Sequence, residues 1–251
     1  MLGFASILAI SAAAGVRAAS LDLCADEYLL LLAPPSEIAS VSRLARDPAD
    51  SVLWREARRV ASNDGRIESL VRQRPSLLVS VGGASRSSQA MARRLHYRML
   101  VLPYPSTVSQ VEANVVRLAS ALGKPIRAAP WRSRLRRLEA SRPPARDTIF
   151  VGSGGTSFAA DSLGAEWMAL AGFRQRALAG GRVTLEQVAV RPPEVLLLSD
   201  YRRSQASLGQ VWLDNPILAA ARSRRVTTDG RPWTCSGPLM LGEVERLRRS
   251  R

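Results

Sequence analysis

The sequence is poor in several residue types that commonly carry chemistry. Its 251 residues include one histidine, His96, and two cysteines, and aromatic residues make up only 5%. One histidine and two distant cysteines form no recognisable metal-ligand spacing. A Ser-His-Asp triad would depend on His96 alone, and no Gly-x-Ser-x-Gly motif is present. We therefore expect no metal site, no cofactor and no catalytic residues, so the protein is not expected to be an enzyme.

One segment keeps an enzyme on an α/β scaffold as a minor alternative. Gly152–Ser157 reads GSGGTS and lies between a predicted strand and a predicted helix, as a phosphate-binding turn does. The dinucleotide-binding pattern has glycine where Ser157 stands, so the match is only partial.

Lysine is almost absent, although the chain is strongly basic. Of 36 basic residues only Lys124 is a lysine, and the formal net charge is +15. A nucleic-acid-binding protein would cluster its basic residues beside aromatic residues that stack on bases. Here the arginines are scattered and aromatic residues are few. Nucleic-acid binding is therefore the alternative function, and we expect no nucleic-acid partner.

The sequence also lacks an apolar run of the roughly 18–20 residues that a membrane-spanning helix requires, so we expect no membrane insertion. Residues 1–14 read MLGFASILAISAAA, an apolar stretch that ends in small residues, which is typical of a secretory signal peptide. Cleavage after Ala14 or after Ala18 satisfies the small-x-small rule, and the first leaves the following strand intact. The alternative is a buried first strand or helix without export. Export would place the protein in the periplasm.

The two cysteines, Cys24 and Cys235, lie near opposite ends of the chain. An even number of cysteines in an exported protein favours a disulfide, because oxidising compartments rarely keep thiols free. The alternative is two free thiols near a ligand site.

A pattern near residue 70 repeats 118 residues later. Residues 67–79, IESLVRQRPSLLV, correspond to residues 185–197, LEQVAVRPPEVLL. Each copy has glutamate one place after an apolar residue (Glu68 and Glu186) and proline seven places after the glutamate. This predicts a short helix that ends at proline and leads into a buried strand. Thr184 and Gln187 form a capping box that starts the second copy.

Around these copies, strand and helix patterns alternate, which predicts parallel sheets with crossover helices. Strands are predicted near Ala18–Leu23, Ile38–Val41, Leu77–Val81, Met99–Leu102, Thr148–Val151, Val195–Ser199 and Arg225–Thr228. Helices are predicted near Ala25–Leu32, Ser87–Leu95, Val108–Leu122, Leu163–Ala171, Leu185–Val190, Pro216–Arg222 and Leu239–Arg249.

These elements divide into an N-terminal α/β lobe (residues 15–106), a helical connector (residues 107–145) and a C-terminal α/β lobe (residues 146–251). Gly123 and Pro125 lie between two helical segments of the connector, and we expect Pro130 to interrupt its helix.

An ordered set of segments resembles one protein family. Ser20–Leu30 is similar to the opening strand and helix of periplasmic substrate-binding proteins for cobalamin and iron–siderophore ABC importers. The two repeat copies resemble paired segments of that family, and Asp229–Pro238 with the following amphipathic helix resembles its last strand-to-helix turn. The resemblance implies two α/β lobes with parallel sheets, joined by a single long connecting helix, and a ligand in the cleft between the lobes. It also implies a monomer that delivers the ligand to a permease dimer.

In such a fold, ligands lie at the carboxyl ends of the strands. The ligand-binding residues that we predict there are Cys24, Asp26, Arg46, Gly83, Tyr104, Gly154, Tyr201, Arg202 and Trp233. The ligand would be a metal chelate, either cobalamin, a ferric siderophore or haem, between which the sequence does not discriminate. The resemblance further implies that Glu68 and Glu186 meet arginines of the two permease subunits; the alternative is that they only cap their helices.

Overall fold

The computed structural model describes residues 15–250, so the predicted signal peptide, residues 1–14, lies outside the described residues. The described chain contains two parallel sheets with interleaved helices. The first sheet has the strand order β3-β2-β1-β4-β5, and its strands are β1 (Ala18–Ser20), β2 (Ile38–Ser42), β3 (Ser62–Asn63), β4 (Leu77–Val81) and β5 (Arg98–Leu102). The second sheet has the order β7-β6-β8-β9, and its strands are β6 (Arg146–Val151), β7 (Phe173–Gln175), β8 (Val195–Ser199) and β9 (Arg224–Thr228). The predicted fold class is confirmed.

Helices connect the strands and cover both sheets. In the first lobe and the connector these are α1 (Leu23–Leu32), α2 (Trp54–Ala57), α3 (Arg86–Arg94), α4 (Val108–Ala121) and α5 (Ala129–Ala140). In the second lobe they are α6 (Leu163–Leu170), α7 (Leu185–Val190), α8 (Leu208–Leu213), α9 (Pro216–Ala220), α10 (Gly230–Cys235) and α11 (Met240–Arg249).

The inner strands were the easiest elements to predict, because they are buried on both faces. β4 reads LLVSV and pairs with strands on both sides, and β8 reads VLLLS and does the same in the second sheet. Covered parallel strands of this kind appear in a sequence as continuous apolar runs.

Element boundaries differ from the prediction where a side chain caps a helix. β1 ends at Ser20 rather than Leu23, because the Asp22 carboxylate accepts a hydrogen bond from the Ala25 amide at 2.8 Å and so starts α1. Likewise Asp229 caps α10, so a segment that we predicted as a loop is a short helix. The strands β3 and β7, of two and three residues, were missed because they are too short to show a pattern.

The connector consists of two helices, and the expectation of a single long connecting helix is therefore corrected. α4 ends before Gly123, which has a φ of +71°, and Pro125 begins a short 3-10 turn that precedes α5. Pro130 does not interrupt α5 but lies in its first turn, where the missing N–H has no intrahelical partner to lose.

The two lobes share one continuous apolar core. A single cluster of buried side chains extends from α1 through both connector helices to α11, and it includes Tyr28, Leu118, Trp131 and Leu247. The Trp131 indole N–H also donates to the Pro238 carbonyl at 2.9 Å. The lobes are therefore held in one arrangement by packing as well as by the connector.

Candidate functional site

The carboxyl ends of strands from both sheets meet at one cleft. Asp50 lies on a loop that follows β2, and Tyr201 and Arg202 lie on the loop that follows β8. These residues are in direct contact across the lobes. Since all the paired strands of each sheet run parallel, the loops after their carboxyl ends line the same face, which is the usual place for ligands in α/β folds.

The contact across the cleft is a network centred on the Asp50 carboxylate. Tyr201 donates its hydroxyl to Oδ1 at 2.8 Å, and Arg202 Nη2 lies 2.7 Å from Oδ1 and 2.9 Å from Oδ2. The Asp50 side chain is only 3% exposed, whereas that of Arg202 is 37% exposed. Burial and the bond to Asp50 raise the pKa of the Tyr201 hydroxyl, and the bond to Asp50 raises the pKa of Arg202.

A second arginine also reaches across the cleft. Arg231 Nη1 donates to the backbone carbonyl of Pro48 at 2.9 Å, while its other nitrogens hold Asp229 in its own lobe. A cavity of about 290 Å³ lies at this junction. Seven of the nine residues that line it have charged or hydroxyl-bearing side chains; the full set is Pro48, Ala49, Asp200, Tyr201, Arg202, Arg203, Ser204, Asp229 and Arg231.

A disulfide also joins the lobes. Cys24 in the first turn of α1 is bonded to Cys235 at the end of α10, with the two Cα atoms 5.4 Å apart. The predicted bridge is therefore present, and the alternative of two free thiols is wrong for this structure. Because its sulfur is committed to the bond, Cys24 has no free thiol to offer a ligand, and its predicted contact with the ligand stays a prediction.

Asp26, another predicted ligand contact, points into the first lobe and is buried. Its Oδ1 accepts the Ser42 amide at 2.9 Å, and the hydroxyls of Ser20 and Ser42 also bond to the carboxylate. Burial raises the pKa of Asp26 to about 7, partly offset by these hydrogen bonds. The neighbouring Glu27 is also buried, and burial together with the Asp26 charge raises its pKa well above the ordinary value. Asp26 is thus a structural carboxyl, and its predicted ligand contact is corrected.

Trp233 lies in the core of the second lobe rather than on the cleft surface. It is 6% exposed, and its ring centroid lies 5.1 Å from that of Phe150 and 5.4 Å from that of Phe158. Its indole N–H donates to the Thr228 hydroxyl at 2.7 Å. A side chain with apolar contacts and its one polar group satisfied packs the lobe, so the predicted ligand contact of Trp233 is also corrected.

Besides Tyr201 and Arg202, four predicted ligand contacts remain. Gly83 and Tyr104 are exposed at the carboxyl ends of β4 and β5, with Tyr104 59% exposed and packed against Gly82. Gly154 lies after β6, beside Gly209 of α8. The Arg46 side chain contacts the first sheet instead: its Nη1 donates to the hydroxyl of Ser62 in β3 at 3.1 Å.

Glu68 and Glu186 occupy matching places in the two lobes. Glu68 lies in a 3-10 turn, Ile67–Leu70, between β3 and β4, and Glu186 lies in the first turn of α7 between β7 and β8. Both are exposed, whereas Ile67, Leu70 and Val188 are buried as predicted. Each glutamate borders a cavity, of about 560 Å³ beside Glu68 and about 370 Å³ beside Glu186. A hydrogen bond from its own backbone amide, and then one from the Thr184 side chain, lower the pKa of Glu186.

Sequence reasoning missed Asp50 and Arg231. Asp50 and Arg202 are 152 positions apart, so no local pattern connects them. One signal was present: Asp50 lies four residues after Arg46, which was predicted to bind the ligand.

Comparisons with known proteins support the fold. No protein-family model matches the sequence, and no curated protein is significantly similar to it. Among solved structures, the chain is similar to the periplasmic heme-binding protein HutB of Vibrio cholerae, with a TM-score of 0.73 and 17% identity over 94% of this chain and 98% of that one. It is also similar to a periplasmic heme-binding protein from Pseudomonas aeruginosa (TM-score 0.68, 19% identity, 94% and 92% covered). A possible iron-binding, periplasmic solute-binding protein from Staphylococcus epidermidis is a third (TM-score 0.67, 13% identity, 94% and 98% covered). The described chain therefore has the two-lobed fold of periplasmic solute-binding proteins, as the sequence resemblance implied.

Proposed function

We propose that this protein is a periplasmic solute-binding protein that holds a metal chelate in the cleft between its lobes and delivers it to an ABC importer. The observation that carries the proposal is the meeting of both sheets' carboxyl ends at one cleft, with Asp50 of one lobe bound to Arg202 of the other. Among the described residues no helix is long and apolar enough to cross a membrane.

The ligand-binding surface in this proposal consists of exposed and half-buried cleft residues of both lobes. Gly83 and Tyr104 contribute from the first lobe, and Gly154, Tyr201 and Arg202 contribute from the second. An aromatic face and nearby glycines suit a flat ligand, because glycine lets a ring approach the backbone, and a guanidinium suits the acidic groups of a chelate. Similar solved structures include proteins named as heme-binding, so haem is the first chelate to test, with ferric siderophores and cobalamin as alternatives.

Equilibrium titration of the purified protein tests the binding role. We expect saturable quenching of tryptophan fluorescence by at least one of haemin, a ferric catecholate siderophore or cyanocobalamin, with one ligand per protein. Binding should change little between 50 and 500 mM salt. A basic nucleic-acid-binding protein would instead bind an oligonucleotide with an affinity that falls steeply over that range. Binding of the oligonucleotide with no chelate bound would reject the proposal.

Glu68 and Glu186 are the proposed contacts with the permease dimer. A crossover segment begins at the carboxyl edge of one parallel strand and returns to the amino end of the next, so the start of each segment lies near the cleft edge of its lobe. Each glutamate is exposed and lies in the first turn of a short helical element within its crossover segment, and one is on each lobe. A monomeric two-lobed protein can then present one carboxylate to each subunit of a two-fold symmetric permease.

Charge reversal separates docking from helix capping. Glu68→Arg combined with Glu186→Arg should leave chelate affinity within twofold and abolish transport, because the changes lie outside the cleft. The matched control is Glu139→Arg with Glu194→Arg, which reverses two other exposed glutamates and should transport normally. Normal uptake by the first double variant would reject the docking role and leave the two glutamates as helix caps.

A further inference from the structure

The three arginines that line the cavity at the cleft do not have equivalent partners. Arg203 is paired with Asp214, and Arg231 with Asp229, so both have carboxylates from their own lobe. Arg202 is paired with Asp50, which belongs to the opposite lobe. Displacing Asp50 would therefore leave the Arg202 guanidinium without a carboxylate partner, with the Gln205 side-chain oxygen 3.3 Å from its Nη1, while the other two pairs stay intact.

The backbone of Arg202 holds its side chain in a specific position. Its φ of +51° lies in the left-handed region, which is uncommon for a residue with a side chain and is stable only where the surroundings support it. The Gln210 side chain donates to the Tyr201 carbonyl at 2.9 Å and fixes the same turn. Tyr201 Oη and Arg202 Nη2 consequently converge on the same oxygen of Asp50.

Asp50 itself is attached to the first lobe by an irregular loop. It lies between the 3-10 turn Arg43–Arg46 and α2, outside any helix or strand. Moving its side chain would break no sheet pairing and no helix. The structure thus shows a carboxylate-binding site on one lobe that is filled by a carboxylate from the other lobe.

We propose that Asp50 is an internal stand-in for an acidic group of the ligand, and that a carboxylate of the bound chelate replaces it on Arg202 and Tyr201. This inference rests on the proposed function and specifies its substrate class as metal chelates that carry carboxylates. A guanidinium commonly binds a carboxylate through two parallel hydrogen bonds, and the Tyr201 hydroxyl adds a third donor here. Because Asp50 competes for the site, the apparent affinity for the chelate is the intrinsic affinity multiplied by the fraction of molecules in which the site is free.

The test compares haemin, which has two propionates, with haemin dimethyl ester, in which both are masked. Asp50→Asn keeps the shape of the side chain and an acceptor for Tyr201 but removes the charge. We expect it to bind haemin at least tenfold more tightly than the parent protein and the ester within twofold of the parent. Arg202→Gln should bind haemin at least tenfold more weakly, again with the ester within twofold.

Glu112→Gln is the matched control, since it removes another arginine-paired carboxylate, on the connector, and should change neither affinity by more than twofold. Weaker or unchanged haemin binding by Asp50→Asn would overturn the inference, because Asp50 would then be a latch that holds the closed lobes. An equal gain for haemin and its ester would also overturn it. Absence of haemin binding by every variant would also overturn the inference. The proposed function would still stand if the parent protein bound cyanocobalamin or the ferric siderophore in the fluorescence titration.

Discussion

The two copies of the internal repeat differ in structure although they share one sequence pattern. The first copy forms only a single 3-10 turn, Ile67–Leu70, whereas the second forms the six-residue helix α7. Thr184 and Gln187 cap α7 in both directions, but Arg66 and Ser69 at the corresponding places form no such cap. The shared pattern thus determines where each glutamate lies, and the cap determines how much helix follows it.

The lobes also differ in how they hold a buried carboxyl group. In the first lobe, Asp26 is surrounded by the hydroxyls of Ser20 and Ser42. In the second lobe, Glu243 is equally close to the core but is paired with the Arg246 guanidinium at 2.6 Å. Burial raises the pKa of Asp26, and the serine hydrogen bonds offset only part of that rise, so the stability of the first lobe should depend on pH.

One of the two largest expected effects comes from breaking the bond between the lobes. Cys24 and Cys235 are 211 positions apart, and closing a loop of that length stabilises a protein by at most about 5 kcal/mol in the chain-entropy model. We expect Cys24→Ser with Cys235→Ser to lower the free energy of unfolding by about 2–5 kcal/mol, measured in urea. Mass spectrometry of the exported parent should show the mass of the bridged form. Two thiols that alkylate freely in the native parent would contradict the bridge.

Trp233 should contribute to stability rather than to affinity. Trp233→Ala removes a buried ring packed on Phe150 and Phe158, a change that costs about 3–5 kcal/mol in other cores. The matched control is Trp54→Ala in the first lobe, where the half-buried ring carries Arg55 and Arg58 and should contribute only about 1 kcal/mol. Thermal unfolding measures both. A loss of stability for Trp233→Ala no larger than for Trp54→Ala would show that the aromatic cluster does not hold the second lobe.

Asp26 should make stability depend on pH. Its pKa is about 7 in the folded protein and 3.8 ordinarily, so folding favours the protonated carboxyl. The contribution of Asp26 to the free energy of unfolding is greatest below about pH 4. It is lost as pH rises to about 7, a change of at most about 4 kcal/mol. Asp26→Asn should remove this fall from the unfolding free energy measured between pH 5 and 8. The exposed control Asp214→Asn should retain the parent's pH profile. Parallel profiles for the parent and Asp26→Asn would count against the buried carboxyl.

The smallest expected effect tests the cap that distinguishes the two repeat copies. Thr184→Ala should lower the unfolding free energy by about 0.5–2 kcal/mol, because the Gln187 amide loses its acceptor. Arg66→Ala at the matching place should change it by less than about 0.5 kcal/mol. Equal losses at both positions would mean that the cap does not explain the longer helix.

The sequence predicted those parts of the fold that depend on local pattern. The apolar runs of β4 and β8 and the Thr184 capping box were found because each is visible within a few residues. The disulfide followed from counting cysteines in an exported chain. Helix starts at Asp22 and Asp229 were missed because a single carboxylate decides between strand or loop and helix.

The candidate site was less predictable because it forms between distant segments. Tyr201 and Arg202 were found from their place after a strand, but their partner Asp50 is contributed by the other lobe. Asp26 and Trp233 also lie near strand ends, yet one binds serine hydroxyls and the other packs on phenylalanine rings. Position along a strand therefore predicts the edge of the sheet, whereas the direction of each side chain depends on its neighbours.

The central claim is that the chelate binds between the lobes, and a crystal structure with haemin bound tests it most directly. We predict the macrocycle between Tyr104 of the first lobe and Gly154 of the second, with a propionate on Arg202. The larger cavity beside Glu68, of about 560 Å³, is the competing location. Haemin in that cavity, or on the surface of one lobe only, would contradict the account.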